Sequence, residues 1–526
     1  MRSGLKDATL DALRWVSITR GFAEAVVFGA GVALAHLVTP AEFGRLAVAV
    51  IVNELSESLA AESLGNALVQ RSTLGRRHLQ AGMFIGLVSG FALMVLTIVL
   101  APLIVGPLFG AQTTALFQLF APLFLLAGVR VVPLATLQRR LDFRTAGKIE
   151  LGGVTVSALT AVGLASVLGL QAKSYVFGEL ASGVLMLALL LAVARPPLPR
   201  ARMKEMRELI AFGLPAGFSG LSWVIQRNID YAILGARLPA AGVGYYYRAF
   251  TVSVEGERRI SGIVSRLALP VYSRIRELPD MRAVRARIVR ANATVVIPLL
   301  ALFIVIAPRL VPWLFGEHWQ PAVLPAQILA GAGMAMTVNG ANSALLLAAN
   351  RQRELSLFNL CQLVAYAATV LLCSSRGLIA VCIGVVAFQL VVTFAYMFLL
   401  NRLVDMPRGQ LLHDLKAAVI SSSVLLAVSL LASSLMGRTG ASTPLYLVVV
   451  GVASLCAYAA AVRVLFPRAW SDLALIAGRL APKARRAGRA TAAQTLGATD
   501  HPDILPSQDP SGDAIESKPW PIRQSA

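Results

Sequence analysis

Apolar residues run along this chain in long blocks separated by short polar gaps. A helix rises about 1.5 Å per residue, so roughly 20 apolar residues cross a bilayer core of about 30 Å. On that measure the blocks at 13–37, 44–69, 79–106, 114–137, 147–170, 174–194, 208–236, 243–269, 289–314, 322–348, 355–375, 377–401, 412–436 and 443–466 predict membrane-spanning helices. The first block is too long for a cleavable signal and shows no small-residue cleavage site, so it is expected to remain a helix. The pattern predicts an all-α polytopic membrane protein with about 14 transmembrane helices.

The pattern also repeats. Leu37-Val38-Thr39-Pro40-Ala41-Glu42-Phe43-Gly44 lies between two apolar blocks, and Arg237-Leu238-Pro239-Ala240-Ala241-Gly242-Val243-Gly244 lies in the same context 200 positions later. Leu108-Phe109-Gly110 and Leu314-Phe315-Gly316 follow in the same order, each opening a loop after an apolar block. Weak internal symmetry of this kind marks transporters whose substrate site lies where two repeats meet.

Charge then sorts the loops. Arg71, Arg76 and Arg77, the cluster from Arg139 to Lys148, and the clusters 195–207, 274–290, 351–353 and 402–408 are rich in basic residues, whereas the alternate loops hold at most one each. The positive-inside rule makes the basic set cytoplasmic, with both termini on that side. The net charge of +21 is thereby a topology signal, and no nucleic-acid partner is needed to explain it. One block is ambiguous: 243–269 carries Arg248, Glu255, Glu257, Arg258, Arg259 and Arg266. It could lie on the membrane surface as an amphipathic helix. Its pairing with 44–69 and the placement of later basic loops favour spanning. Beyond 466 a basic stretch suited to an anionic leaflet leads into a Ser-, Pro- and Asp-rich segment expected to be disordered.

Composition agrees: 57% of residues are hydrophobic, 14% are charged and mean hydropathy is +0.70. The four cysteines form no CxxC, the five histidines have no metal-ligand spacing, and no GxxxxGK[ST], HExxH or GxSxG occurs. No catalytic residue, metal site or cofactor is expected, and an enzyme reading has nothing to rest on. Asn292-Ala293-Thr294 matches a glycosylation sequon but falls at a predicted cytoplasmic helix end. Gly86-x-x-x-Gly90 is a weak helix-packing signal.

Ionisable residues inside spans are costly, so each is expected to face a partner or a wet cavity. Glu54, Glu57, Ser58 and Glu62 share one face of the second span, and Arg248, Glu255, Arg259, Gly262 and Arg266 share one face of the eighth, its repeat partner. The first span adds Arg20 and Glu24. The seventh adds Ser219, Ser222, Gln226 and Asp230, with Arg227 beside them. These four spans are expected to line a polar cavity between the halves. Arg20, Arg227, Arg248, Arg259 and Arg266 are its substrate-binding candidates, and Glu24, Glu54, Glu57, Glu62, Asp230 and Glu255 its polar or coupling candidates. The alternative is that these charges pair across the interface and hold the halves together. Arg130 and Glu179 read as structural pairs, Asn339 and Asn342 as helix-packing hydrogen bonders. A cationic cavity suits a lipid carrying phosphate, because guanidinium offers paired donors to phosphate oxygens.

With those residues in view, the chain resembles the Wzx-type (WzxC-like) polysaccharide biosynthesis flippases of the multidrug/oligosaccharidyl-lipid/polysaccharide exporter superfamily. The resemblance spans roughly residues 10–465. It rests on Thr39–Ala47, Glu62–Arg71 and Leu137–Arg144 in the first half, and on Asn228–Gly235, Gly244–Ala249 and Leu314–Trp319 in the second. It implies two six-helix lobes related by a pseudo-twofold, at 1–200 and 201–405, two added helices within 406–466, and a basic segment with a tail at 467–526. It also implies alternating access, in a bacterial inner membrane, for an undecaprenyl-diphosphate-linked oligosaccharide destined for a surface polysaccharide. Membrane lipids are implied neighbours, and a polysaccharide polymerase and a chain-length regulator are candidate partners. Two other readings stand beside it: a cation-coupled small-molecule exporter on the same fold, and a non-transporting scaffold for glycan assembly.

Overall fold

The computed structural model describes residues 2–71, 73–262, 275, 278–407, 409–467 and 470; the side chains of residues 2–18, 61, 62 and 278 are not among those described. The described chain is built of helices. In order they are α1 (Arg2–Leu37), α2 (Pro40–Ser58), α3 (Arg76–Phe109), α4 (Ala111–Arg139), α5 (Phe143–Leu168), α6 (Ala172–Ala194) and α7 (Met203–Arg237). Then come α8 (Ala240–Phe250), α9 (Leu278–Phe315), α10 (Glu317–Ala348), α11 (Gln352–Ser374), α12 (Leu378–Val404), α13 (Gln410–Arg438) and α14 (Thr443–Leu465). α2 continues through a π-helical stretch, Leu59–Gly65, into Asn66–Gln70; α8 continues through another, Thr251–Glu255, and on to residue 262. Each predicted span coincides with one of these rods.

Twelve rods are long and apolar enough to cross a membrane. The other two, α2 and α8, carry the charged stripes and lie among them, packed on each other. The outward faces are apolar: Val167, Leu372 and Phe398 are 80%, 73% and 69% exposed. Such surfaces are stable only against lipid, where helices satisfy their own backbone groups. This is a multi-span membrane protein. The chain divides into two units, Met1–Ala469 and Trp470–Ala526; the predicted tail belongs to the second and lies outside the described residues apart from Trp470.

The repeated motifs occupy equivalent turns. Gly110 and Gly316 end α3 and α9 with φ of +82° and +103°. Both backbones lie where only glycine is unstrained, which explains why Leu-Phe-Gly recurs. At the other motif, Thr39 caps α2 by accepting from the Glu42 amide at 3.4 Å, with Pro40 at the first helical position. Ala240 opens α8 in the equivalent place, and the two helix starts cross. A Cβ on Gly44 would fall within 2.7 Å of the Ala240 carbonyl carbon, and one on Gly244 within 2.8 Å of that of Pro40. Gly86 and Gly128 bring α3 and α4 into similarly close contact.

Candidate functional site

The end of the bundle that carries the α2/α8 crossing is sealed. Trp319 Nε1 donates to the Ala35 carbonyl at 2.9 Å, His318 Nε2 reaches the same oxygen at 2.9 Å, and His36 Nε2 lies 3.1 Å from the Leu314 carbonyl. The end of α1 is thereby fastened to the turn after α9. In the equivalent position the end of α7 packs Gly235 against Phe109, in the turn after α3. Phe43, Phe120, Phe315 and Trp319 fill the core beneath this seal.

Directly below lies a cavity of about 480 Å³ between α1, α2, α5 and α6 on one side and α8 and α9 on the other. Its walls are mostly apolar, among them Val27, Phe28, Leu310 and Leu314. Its polar groups include Arg248, Thr251 and Arg259 from α8, with Ser157, Tyr175, Glu179 and Ser182 opposite. Ser157 Oγ donates to Glu179 Oε1 at 3.0 Å.

Arg248 is the unusual member. It is 5% exposed, and its guanidinium carbon sits 4.7 Å from the ring centre of Phe43, 4.5 Å from that of Phe315 and 4.9 Å from that of Trp319. The ring faces favour a cation. Its Nε and Nη2 nonetheless have no hydrogen-bond partner among the described residues, and no carboxylate pairs with it. A buried charge left without a counter-ion is costly. Arg248 is thus a buried cation boxed by three ring faces, with donors left over. All three rings come from the repeated or quoted motifs, but hydropathy and helix face do not show that they box an arginine.

The other candidate residues are distributed differently. Arg259 pairs with Glu24 of α1 at 2.5 Å, so Glu24 faces α8, and Arg20, one turn away, is exposed and has no ion-pair partner among the described residues. Glu54 of α2 reaches across to α7, accepting from Asn228 Nδ2 at 2.7 Å and lying 3.5 Å from Arg227. Arg227 also bonds Glu255 at 3.1 Å, and Glu255 holds Arg258 at 2.6 Å. Glu57 pairs with Arg130 of α4. Asp230 is buried away from this cavity, accepting from the hydroxyls of Tyr246 at 2.9 Å and Tyr366 at 3.0 Å. The π-helical stretch alters the register of α8, so Glu255 faces Arg227 and not the cavity that Arg248 and Arg259 share. The side chain of Glu62 and all of Arg266 lie outside the described residues. Asn292 of the sequon is buried, donating to Ser261 and to the Thr337 carbonyl, each at 2.8 Å. Asn342 accepts from Arg285 at 3.0 Å.

Helical rods enclosing a cavity where the two repeated motifs meet define a multi-span membrane protein. The fold is that of the lipid II flippase MurJ in an inward closed conformation, with a TM-score of 0.70 at 12% identity over 86% of this chain and 99% of that one. An inward-facing multidrug resistance MATE family transporter of the MOP superfamily follows at 0.59, with 14% identity over 74% of this chain and 97% of that one. Within that fold the chain belongs to the polysaccharide biosynthesis protein family, whose model matches residues 33–324. It is 27% identical to a membrane protein of the cps region of Klebsiella pneumoniae, over 76% of this chain and 83% of that protein. It is 22% identical to the lipopolysaccharide biosynthesis protein WzxC of Escherichia coli K12, over 75% of this chain and 81% of that protein.

Proposed function

We propose that this protein is a flippase that moves undecaprenyl-diphosphate-linked oligosaccharide units from the cytoplasmic to the periplasmic leaflet of a bacterial inner membrane, for a surface polysaccharide. The observation that carries the reading is Arg248, a buried cation with idle donors at the edge of a mostly apolar cavity that it shares with Arg259. A lipid diphosphate supplies the missing counter-charge, and guanidinium matches phosphate oxygens in geometry as well as charge. The apolar walls tolerate the adjoining isoprenoid. Without such a route, sugars and diphosphate would have to enter hydrocarbon with their hydrogen bonds unmet. The family, and the lipopolysaccharide role printed for WzxC, support the same reading.

Residues 1–200 and 201–405 act as two lobes in this proposal, with 406–466 adding two helices. Placing the basic loops in the cytoplasm, by the positive-inside rule, puts the sealed end toward the periplasm. In this reading the seal closes the periplasmic side, and cargo enters from the inside. Alternating access opens the α2/α8 crossing and closes the other end. An organic-cation exporter would want acids to dominate the cavity, but its lining holds two arginines, Arg248 and Arg259, against one carboxylate, Glu179.

Depletion of the protein is expected to accumulate lipid-linked glycan on the inner leaflet and to remove surface glycan. Arg248→Ala is expected to do the same while the protein stays in the membrane. Unchanged surface glycan in a strain lacking the gene would overturn the proposal.

A further inference from the structure

A second cavity, of about 460 Å³, lies on the other flank of α8, within α7–α12. Its chemistry is unlike that of the first. The carboxamides of Gln226, Asn359, Gln362 and Gln389 face it from three helices, and their side chains make no hydrogen bond among the described residues. Asn339 commits only its Oδ1, to Thr393 at 3.3 Å. Carboxamides gathered from α7, α11 and α12 are not one helix's solvated face; they converge on a common volume. Gln389 is buried and the other three are half-buried, and uncommitted donors and acceptors around one volume suit a partner that both donates and accepts.

Aromatic rings alternate with the amides. Trp223 is 53% exposed on α7, and the rings of Tyr366 and Phe388 lie tilted to each other with centres 5.2 Å apart. The charged groups are already answered. Asp230 is held by two tyrosine hydroxyls, Glu257 accepts from Ser261, and Arg227 and Arg258 are held by Glu255. What remains is a neutral wall of carboxamides with ring faces between them. Sugar hydroxyls donate and accept as carboxamides do, and the C–H faces of pyranoses lie against aromatic rings.

We infer that this cavity is a saccharide subsite, binding sugars of the cargo that lie beyond the one attached to the diphosphate. Arg259 lines the first cavity while Arg258 and Ser261 line the second, so the two are separated by the width of one helix, roughly 10 Å. An oligosaccharide spans that distance and a single sugar does not. The inference rests on the flippase reading.

The test uses the full-length protein in proteoliposomes with two probes: polyprenyl diphosphate carrying one hexose, and the complete lipid-linked repeat unit extracted from producing cells. Wild type is expected to move both. Gln226→Leu combined with Gln362→Leu is expected to move the single-sugar lipid at the wild-type rate and the complete unit about tenfold more slowly, as when a site built for hydrogen bonding loses its partners. Asn359→Leu, on the same wall, is expected to show the same split; size-exclusion elution and thermal melting report that each variant is folded. Arg248→Ala is expected to lose both probes. Folded amide variants that move both probes at wild-type rates, or lose both equally, would overturn the subsite while leaving the flippase reading intact. A wild type that moves neither would overturn the flippase reading and the subsite with it.

Discussion

Gly44 and Gly244, 200 positions apart, meet at the crossing of α2 and α8, each backed by the helix start of the other half: Gly44 by Ala240 and Gly244 by Pro40. The contact is reciprocal, residue for residue, as at an isologous interface between two copies. Neither position has room for a Cβ. Gly44→Val or Gly244→Val is therefore expected to force the sealed end apart. A cysteine introduced at Val38, which is 3% exposed, should then react with a membrane-impermeant maleimide added from outside, whereas it stays protected with both glycines in place. Equal protection in both backgrounds would contradict the role given to this crossing.

Arg248 separates function from stability. Replacing a buried unpaired cation by an apolar residue of similar length removes a desolvation cost while keeping contact with the three rings. Arg248→Met is expected to melt at or above the wild-type temperature in detergent while surface glycan is lost. Arg248→Lys, which keeps the charge without the planar fork, should retain more export than Arg248→Ala. A marked fall in melting temperature for Arg248→Met would show that the arginine serves packing.

Glu24 and Arg259 join α1 to α8 with side chains about half exposed, at 58% and 47%. An exposed pair of this kind contributes roughly 0–1 kcal/mol, so its loss should leave folding unchanged. In the flippase reading the pair spans two sides of the cavity, so its loss should act on export. Glu24→Arg and Arg259→Glu are each expected to reduce export, and the double exchange to recover part of it. No recovery would place the two residues in separate roles.

Arg285 and Asp414 form an ion pair at 2.7 Å with both side chains fully buried, tying α9 to α13. Gln410 donates to Asp414 at 2.9 Å, and Arg285 also donates to Asn342. Removing one partner strands the other, at about 3–5 kcal/mol. Asp414→Ala should lower the protein's abundance in the membrane and its melting temperature. Asp414→Leu with Arg285→Met should restore much of both, which measures the pair as an anchor for the added helices.

Most of the fold was legible because lipid imposes a simple rule: a spanning helix must be long and apolar. Each rod was read that way except α8, whose charges made it ambiguous and whose repeat pairing with α2 favoured it as a span. Gly110 and Gly316 were equally legible, since a repeated glycine at a loop start reports a backbone only glycine adopts. Partner choice was not. Glu24 lies one turn from Arg20, yet its partner is Arg259 on another helix, a contact that only tertiary packing creates. Glu255 was expected on the cavity face with Arg248 and Arg259, but the π-helical stretch Thr251–Glu255 breaks the α-helical spacing on which that expectation stood. Gln362 and Gln389 carry no signal in sequence because isolated amides in apolar helices have no periodicity; only their convergence marks them.

In the flippase reading the buried cation of α8 engages the diphosphate of a lipid-linked glycan during its passage across the membrane. Reconstituted protein, supplied with fluorescent polyprenyl diphosphate carrying a sugar head, tests it most directly through loss of protection of the head group from an impermeant reagent. Wild-type protein is expected to accelerate transbilayer movement, with the Arg248→Ala variant close to protein-free vesicles. Equal acceleration by Arg248→Ala, or none by the wild type, would contradict the account.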